Sequence, residues 1–197
     1  CYTFVMSELA LYRKYRPQDF DDVVGQKHVV EVLEGQIKTG KIAHAYLFAG
    51  SRGTGKTTIA RILAKELGCS WKDVYEIDAA SNRGIDEIRE LRDAVQTLPF
   101  EGKYKVYIID EVHMLTTPAF NALLKTLEEP PSHVIFILAT TEEHKLPETI
   151  VSRCQSFVFK RPTEEELRER LSHIAKKEGY SIDPHALSLV ALLGEGS

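Results

Sequence analysis

Long apolar stretches are missing from this sequence, and so is any excess of basic residues. No apolar run approaches the roughly 20 residues of a membrane-spanning helix, so we expect no membrane partner. The 29 acidic residues outnumber the 25 lysines and arginines, which gives a formal net charge of −4. This balance excludes binding of nucleic acid through overall charge, but it leaves room for a local basic patch.

Cysteine is scarce as well. Cys1, Cys69 and Cys154 lie far apart, and an odd number at such distances does not build a disulfide framework. No pair has the short spacing of a structural zinc site, so no zinc is predicted. This usage fits a reducing compartment, and we expect the cytoplasm. The short apolar start lacks the basic residues of a signal peptide, and Met6 is the expected natural start.

Apolar runs alternate with amphipathic helical stretches along most of the chain. Three of the runs are apolar on both faces, which is typical of a parallel sheet covered by helices on both sides. The fold class predicted from this alternation is therefore α/β, a doubly wound sheet with right-handed crossovers. The predicted strands are 45–49, 74–77, 105–110, 134–140 and 156–159.

Two further features concern helix boundaries. Thr117 is the predicted N-cap of the helix that contains Pro118 in its first turn. Near the end of the chain, two successive helices have no strand between them, and the first opens with a predicted capping box. We therefore predict an α/β domain over residues 1–160 and the start of a small helical domain over residues 161–197.

The stretch GSRGTGKTT lies between a predicted strand and a predicted helix, and it matches the pattern G-x-x-x-x-G-K-[ST]. Glycines permit positive φ, so successive backbone N–H groups can point into one concave nest that attracts phosphates. Lys56 would reach the β- and γ-phosphates, and the Thr57 hydroxyl would bind Mg²⁺. The predicted nucleotide-binding residues of this stretch are Gly50, Ser51, Arg52, Gly53, Thr54, Gly55, Lys56, Thr57 and Thr58.

An acidic pair follows the buried strand 105–110. Asp110 ends this strand at the carboxyl edge of the sheet, where nucleotides bind in such folds, and would hold Mg²⁺ together with Thr57. Glu111 is placed to polarise a water molecule for attack on the γ-phosphate. The alternative is that the pair only terminates a strand. Downstream of a phosphate-binding loop, the pair favours nucleotide hydrolysis.

Three other segments remain open on the residues alone. Thr140 and Thr141 end a strand beside the expected γ-phosphate position, or they only form a turn. Arg153 is either a surface charge or a functional cation. The loop Val24-Gly25-Gln26 either wraps an adenine or only leads into a helix.

A family resemblance rests on five stretches: YRKYRPQDFDDVVGQ, HAYLFAGSRGTGKTT, EIDAASNRGIDEIR, the block 104–131 and the triplet Ser152-Arg153-Cys154. In these stretches the chain resembles the bacterial clamp-loader ATPase subunits of the AAA+ superfamily, the γ/τ subunits of DNA polymerase III. The resemblance implies a P-loop core with about five parallel strands, followed by a helical lid. It also implies ATP hydrolysis with Mg²⁺ within the DNA polymerase III holoenzyme, and with it an association with DNA-directed DNA polymerase, a nucleotidyltransferase activity. Two other readings are a non-catalytic scaffold of the same assembly and a helicase or branch-migration motor.

The resemblance also implies roles for single residues. Thr141 corresponds to sensor 1, which detects the γ-phosphate. Arg153 corresponds to an arginine finger that reaches the ATP of an adjacent subunit. The residues implied to line the adenine pocket are Tyr15, Arg16, Pro17, Val24 and Gly25.

The implied partners are other clamp-loader subunits, the sliding clamp and primer–template DNA. Arg83 and Arg89, near a helix start at Gly84, are the candidates for contact with the DNA backbone. Alternatively, both arginines pair with acidic residues of the same surface, namely Glu87, Glu90 and Asp93.

The chain departs from the family at two places. The family carries a four-cysteine zinc hairpin after the P-loop helix, where this chain has only Cys69. The sensor-2 arginine, the rest of the lid and the oligomerising collar would follow the last residues printed. The chain by itself is therefore expected to bind nucleotide, to be monomeric and to hydrolyse ATP poorly.

Overall fold

A five-stranded parallel sheet organises the molecule. The structure is a computed structural model that describes residues 10–194, so Cys1 and Met6 lie outside the described residues. The strand order is β2-β3-β4-β1-β5, with all pairs parallel. The strands are β1 (Ala45–Ala49), β2 (Val74–Asp78), β3 (Lys105–Asp110), β4 (Val134–Thr140) and β5 (Gln155–Val158).

Helices connect the strands, and two more helices follow the last strand. Short 3₁₀ turns lie at Phe20–Asp22, Trp71–Asp73, Val112–Met114 and Glu143–Lys145. The α-helices are α1 (Leu11–Lys14), α2 (Lys27–Thr39), α3 (Lys56–Glu66), α4 (Ile85–Val95), α5 (Thr117–Glu128), α6 (Glu148–Val151), α7 (Glu164–Lys177) and α8 (Pro184–Leu193).

Both faces of the sheet are covered, because its central strands carry apolar side chains on both sides. Every residue of β1 and β4 is buried, and β3 is buried up to its last residue. One core lies between the sheet and helices α2 and α3, and includes Phe48, Ile59 and Ile108. The other lies between the sheet and helices α4 and α5, and includes Leu47 and Phe136. This arrangement confirms the predicted α/β fold.

The five strand predictions are confirmed, with β5 displaced by one residue. The prediction of Thr117 as an N-cap is wrong by one position. Thr116 is the N-cap with an extended backbone, its carbonyl accepts the first helical hydrogen bond from Phe120 N, and Thr117 is already helical. Pro118 can stand in the first turn at either position because its missing N–H has no helical partner there, so the sequence pattern did not separate the two registers.

Side chains cap both of the last two helices, and the first has the predicted capping box. Thr163 Oγ1 accepts from Glu166 N, and the Glu166 carboxylate accepts from Thr163 N, which completes the capping box of α7. Asp183 accepts from two backbone amides at the start of α8. Helix α7 packs on α8. Within residues 10–194, none of the helices has the length and apolar character needed to cross a bilayer.

Candidate functional site

The loop between β1 and α3 has the backbone that its glycines predict. Gly53 and Gly55 have φ values of 81° and 94°. Gly50 has φ 156° and also lies against the residue that follows β5, because a Cβ at this position would stand 2.6 Å from the carbonyl oxygen of Phe159. A larger residue at position 50 would therefore push the loop away from the sheet. The loop ends at Lys56, the first residue of α3.

Lys56 directs its ammonium group into this loop. Its Nζ donates to the carbonyl oxygens of Gly50 at 2.7 Å and Ser51 at 2.8 Å, and the residue is buried. Burial lowers the pKa of the Lys56 ammonium from its usual value, while the nearby Glu111 and Asp110 carboxylates oppose this shift. A cation is thus held in the concave side of the loop beside two carboxylates.

Thr57 and Asp110 join the loop to the sheet edge. The Thr57 hydroxyl donates a 2.6 Å hydrogen bond to Oδ2 of Asp110. Hydroxyl and carboxylate oxygens are the hard donors that Mg²⁺ prefers, and Mg²⁺ typically takes only one or two protein ligands beside substrate phosphates and water. The pair therefore fits a magnesium ion.

Glu111 has an unusual backbone and a defined side-chain partner. Among residues 10–194 it is the only non-glycine residue with positive φ, at 49°. Its backbone N–H donates to Asp110 Oδ1 at 2.9 Å. Thr141 contacts the Glu111 carboxylate through both its backbone N–H, at 3.3 Å, and its hydroxyl, at 3.0 Å. Strained backbone of this kind, costing about 1–3 kcal/mol, is typical of functional sites.

A cavity of about 770 Å³ lies between the loop, residues within 11–24, and the helices α7 and α8 with Pro162 and Gly194, which we call the lid. Most of the predicted site residues line it. The predicted residues that do not are Gly25, Gly50, Ser51, Arg83, Arg89, Thr140, Thr141 and Arg153. The predicted residues in its wall are Tyr15, Arg16, Pro17, Val24, Arg52, Gly53, Thr54, Gly55, Lys56, Thr57, Thr58, Asp110 and Glu111.

Lid residues complete this cavity, and the sequence interpretation missed them. Leu167, Leu171 and Ile174 form an apolar stripe on α7, and such a stripe does not by itself distinguish a helix-packing face from a cavity wall. Gly25 lies beneath the lid, since a Cβ there would stand 3.3 Å from Cα of Pro162. The lid residues in the wall are Pro162, Leu167, Arg170, Leu171, Ile174, Val190, Ala191 and Gly194.

The segment before the first long helix is tied to both the loop and the lid. Arg16 Nε donates to Thr58 Oγ1 at 3.0 Å, and burial lowers the pKa of the Arg16 guanidinium. Arg170 of α7 donates to the carbonyl oxygen of Tyr15 at 2.9 Å, and the Tyr15 hydroxyl donates to Glu178. The cavity is therefore closed on one side by direct lid contacts.

Gln26, which the sequence left open as part of an adenine loop or a helix entry, does not line the cavity. Its side chain is fully buried, and its amide nitrogen donates to Lys160 O at 2.5 Å and more weakly to Thr54 O at 3.4 Å. Its amide oxygen accepts from Lys160 N. These bonds fasten the phosphate-binding loop to the segment that leads from β5 to the lid.

Arg153 lies outside this cavity. Its guanidinium donates to the carbonyl oxygen of Thr149 and to Oε1 of Glu128, both at 2.8 Å. About a third of the side chain is exposed, at 34%. The guanidinium is therefore held at the surface by residues of its own chain, where a second molecule can approach it.

The two candidate DNA-contacting arginines both have partners within the chain. Arg83 Nε donates to the carbonyl oxygen of Ala80 at 2.7 Å. Arg89 pairs at 3.0 Å with Asp86, not with the acidic residues named as alternatives. Helix α4 does begin beside Gly84, as predicted, but Asp86 and a second carboxylate occupy its first turn. Two negative charges at this helix start oppose binding of a phosphate there.

The two described cysteines are partly buried thiols. Burial raises the pKa of Cys69 to about 11 and that of Cys154 to about 12, which keeps both protonated. Thiolates are the form that binds zinc. Over residues 10–194, no group of three or more histidine, cysteine, aspartate or glutamate residues is arranged to hold a metal ion.

A protein-family comparison matches most of the chain. The family model described as DNA polymerase III, delta subunit matches residues 25–83 and 70–163. These two overlapping segments contain the loop, the acidic pair and Arg153. They cover more than half of the chain.

Curated relatives are DNA polymerase III τ and γ subunits. The τ subunit of Bacillus subtilis is 51% identical over 212 residues, covering 97% of this chain and 38% of the relative. The τ subunit of Escherichia coli is 49% identical over 213 residues, covering 98% of this chain and 33% of the relative. The chain thus spans about a third of their length. Because both alignments are longer than this 197-residue chain, the relatives carry internal residues that it lacks.

Solved structures with the same fold include a Holliday junction branch migration motor, RuvB of Thermotoga maritima. Its TM-score is 0.72 with 26% identity, covering 90% of this chain and 59% of the motor. A variant of that protein gives a TM-score of 0.73 at 24% identity. These similarities confirm the predicted AAA+ P-loop core. The comparisons do not support a nucleotidyltransferase or polymerase activity in this chain.

Proposed function

The chain belongs to the DNA polymerase III subunit family whose model it matches, and we propose that it is the ATP-binding and ATP-hydrolysing part of a clamp-loader γ/τ subunit. The proposed work of the whole protein is to couple ATP binding and hydrolysis to the loading of a sliding clamp on primed DNA. The support for this proposal is that about half of the aligned residues are identical to those of τ subunits, over nearly all of the chain.

The observation that carries the proposal is the bond between Thr57 and Asp110. It brings the end of the phosphate-binding loop within 2.6 Å of the acidic end of a buried strand. Separately, neither residue type indicates nucleotide chemistry. Together with the buried cation of Lys56, they form a site for a metal-bound phosphate chain.

Each residue then has a distinct proposed role. Lys56 would leave its two carbonyl partners and neutralise phosphate charge. Thr57 and Asp110 would hold Mg²⁺, which supplies further neutralisation of the triphosphate. Glu111 would accept a hydrogen bond from the attacking water, and Thr141 would set the orientation of the Glu111 carboxylate.

Hydrolysis is proposed to need a neighbouring subunit. Arg153 lies outside the cavity of its own chain, so its guanidinium is available only to a nucleotide bound elsewhere. To reach that nucleotide it would exchange its Glu128 partner for the phosphates. A cation delivered in this way stabilises charge on the transferring phosphoryl group.

DNA contact through Arg83 and Arg89 is part of the proposal, in which several subunits share one duplex. Each arginine would have to exchange an internal partner for a DNA phosphate. Because Asp86 already neutralises Arg89, a single chain offers little net attraction, and the contribution of one subunit should be small.

Two other functions make different experimental predictions. A branch-migration motor is favoured only by the fold similarity at 26% identity. Such a motor should hydrolyse ATP in response to DNA alone. A non-catalytic scaffold should neither bind nor hydrolyse ATP, and the presence of Lys56, Asp110 and Glu111 disfavours it.

The test is the steady-state ATPase rate of the full-length protein assembled with its partner subunits. The proposal predicts that full stimulation requires primed DNA and the sliding clamp together. Equal stimulation by DNA without the clamp would support the motor instead. No hydrolysis under any condition, with no ATP binding, would support the scaffold.

A further inference from the structure

His113 has an unusually enclosed position for a histidine in a short surface turn. It lies in the 3₁₀ turn Val112–Met114, directly after the acidic pair, and its side chain is only 6% exposed. Neither the phosphate-binding motif nor the proposed magnesium site requires a histidine there. Its contacts therefore need a separate explanation.

The imidazole ring joins three segments. Nδ1 lies 2.9 Å from the hydroxyl of Thr140, the last residue of β4. Nε2 lies 3.1 Å from the Glu142 carboxylate, and Nδ1 lies 3.5 Å from Oε2 of Glu111. One ring thus contacts the proposed catalytic turn, the end of the central strand and the loop that follows it.

The hydrogen-bond network assigns the tautomer of this ring. The ionised Glu142 carboxylate can only accept, so Nε2–H donates to it at 3.1 Å. In the neutral ring Nδ1 is then the acceptor, and the Thr140 hydroxyl, whose oxygen accepts from the backbone N–H of Glu142 at 3.0 Å, donates to it. In this arrangement Nδ1 offers no hydrogen to Glu111, and the Glu111 carboxylate keeps Thr141 as its donor.

Glu142 connects the ring to the segment that carries Arg153. The Lys145 ammonium donates to Glu142 at 2.7 Å and, through this hydrogen bond, lowers the pKa of the carboxyl group. Lys145 ends the 3₁₀ turn that leads into α6 and then to Arg153. A carboxylate that stays ionised is a strong acceptor for the imidazole N–H.

We propose that His113 is a positioning residue that fastens the Glu111 turn to the β4 end and, through Glu142, to the segment carrying Arg153. This inference rests on the proposed function, because Glu111 and Arg153 would act on nucleotides bound in two different subunits. Loss of the ring removes the partner that Thr140 and Glu142 share. The Glu111 turn is then joined to this segment only by the contacts of Thr141 with the Glu111 carboxylate, and its orientation is less well fixed relative to the segment that carries Arg153.

His113→Leu removes both polar atoms while keeping a buried apolar side chain. The expected effect is a loss of turnover of about tenfold in the assembled full-length protein, the size expected for losing a hydrogen bond to a charged group. The affinity for ATP should stay within a factor of about three, since His113 is outside the cavity wall. His113→Gln, which can still donate towards Glu142, should recover part of the turnover.

His133→Gln is the matched control. His133 is also partly buried and contacts two backbone carbonyls, of Val95 and Thr97, but it precedes the opposite end of the same strand. This variant should lower stability without lowering turnover at saturating ATP. Thermal unfolding of each variant separates a folding defect from a turnover defect.

A double-mutant cycle with Glu142→Ala tests whether the two residues act as one unit. If they do, the double variant should turn over ATP about as fast as the slower single variant. The inference would be overturned if the fold-loss of turnover in the double variant equalled the product of the two single losses. Normal turnover of His113→Leu would overturn it as well. Lys56→Ala and Glu111→Gln are run in parallel. If neither Lys56→Ala nor Glu111→Gln lowers turnover, the proposed function itself fails. If these two variants lower turnover and His113→Leu does not, only the role of His113 is rejected.

Discussion

The hydroxyl of Thr57 and the carboxylate of Asp110 lie 2.6 Å apart, although 53 residues separate them in sequence. One belongs to the first turn of α3 and the other to the last position of β3. The parallel sheet brings them together because its strands all end at the same edge. The proposed metal site is therefore a consequence of the fold and does not depend on a flexible loop.

Thr57→Val should abolish the contribution of Mg²⁺ to ATP binding, because valine keeps the shape of threonine but removes the metal-binding oxygen. We expect the affinity for ATP in excess Mg²⁺ to fall by at least about tenfold, towards the affinity measured with a chelator present. Thr149→Val is the control, since this exposed threonine of α6 lies outside the cavity wall. Equal magnesium dependence in wild type and Thr57→Val would contradict the assignment.

Glu111→Gln should separate binding from hydrolysis. The amide keeps the size of the side chain but accepts a proton poorly, so turnover of the assembled protein should fall by about 10²–10⁴-fold. ATP affinity should be unchanged, because Asp110 and Lys56 remain. Single-turnover hydrolysis and equilibrium ATP binding measure the two effects. Glu148→Gln, an exposed change in α6, is the control and should alter neither.

Arg153→Ala should affect only the assembled protein. ATP binding by the isolated chain should match that of wild type, because Arg153 is not part of the cavity wall. Turnover in the assembly should fall by about 10³–10⁵-fold. Glu128→Gln, which weakens the internal partner of Arg153, should leave turnover at or above the wild-type rate. Weaker ATP binding by the isolated Arg153→Ala chain would instead place the guanidinium in its own site.

Gly50→Ala should destabilise the fold, by about 1–3 kcal/mol, because its Cβ would overlap the Phe159 carbonyl at 2.6 Å. Gly35→Ala is the matched control. Gly35 lies inside α2 with nothing within 4 Å of its Cβ position, so alanine there should stabilise the protein by up to about 1 kcal/mol. Urea unfolding gives both free energies. Equal stability of the two variants would refute the close approach of the loop to Phe159.

Sequence patterns predicted the sheet well because their signals are local. Strands β1, β3 and β4 are continuous apolar runs, and such runs have few alternatives in an α/β chain. The phosphate-binding loop was predictable for a similar reason, since its glycines, lysine and threonines are adjacent. The cap of α5 was misplaced because Thr116 and Thr117 are equally good caps by residue type.

Contacts between distant segments were not predictable in the same way. His113 meets Glu142 only because β3 and β4 are neighbours in the sheet. The burial of Gln26 depends on the path of the chain after β5, at Lys160. The apolar residues of α7, Leu171 among them, have a periodicity that fits ordinary helix packing as well as a cavity wall. Residue type and spacing do not distinguish these cases without the tertiary arrangement.

The most direct test of the central claim is the affinity for Mg²⁺–ATP of the Lys56→Ala protein, measured by calorimetry. Lys65→Ala is the control, because Lys65 belongs to the same helix but pairs with Asp19. The account predicts a loss of affinity of at least about tenfold for Lys56→Ala, since a buried cation facing the phosphates is removed, and wild-type affinity for Lys65→Ala. Unchanged affinity of Lys56→Ala would contradict the claim that residues 50–58 hold the phosphates of ATP.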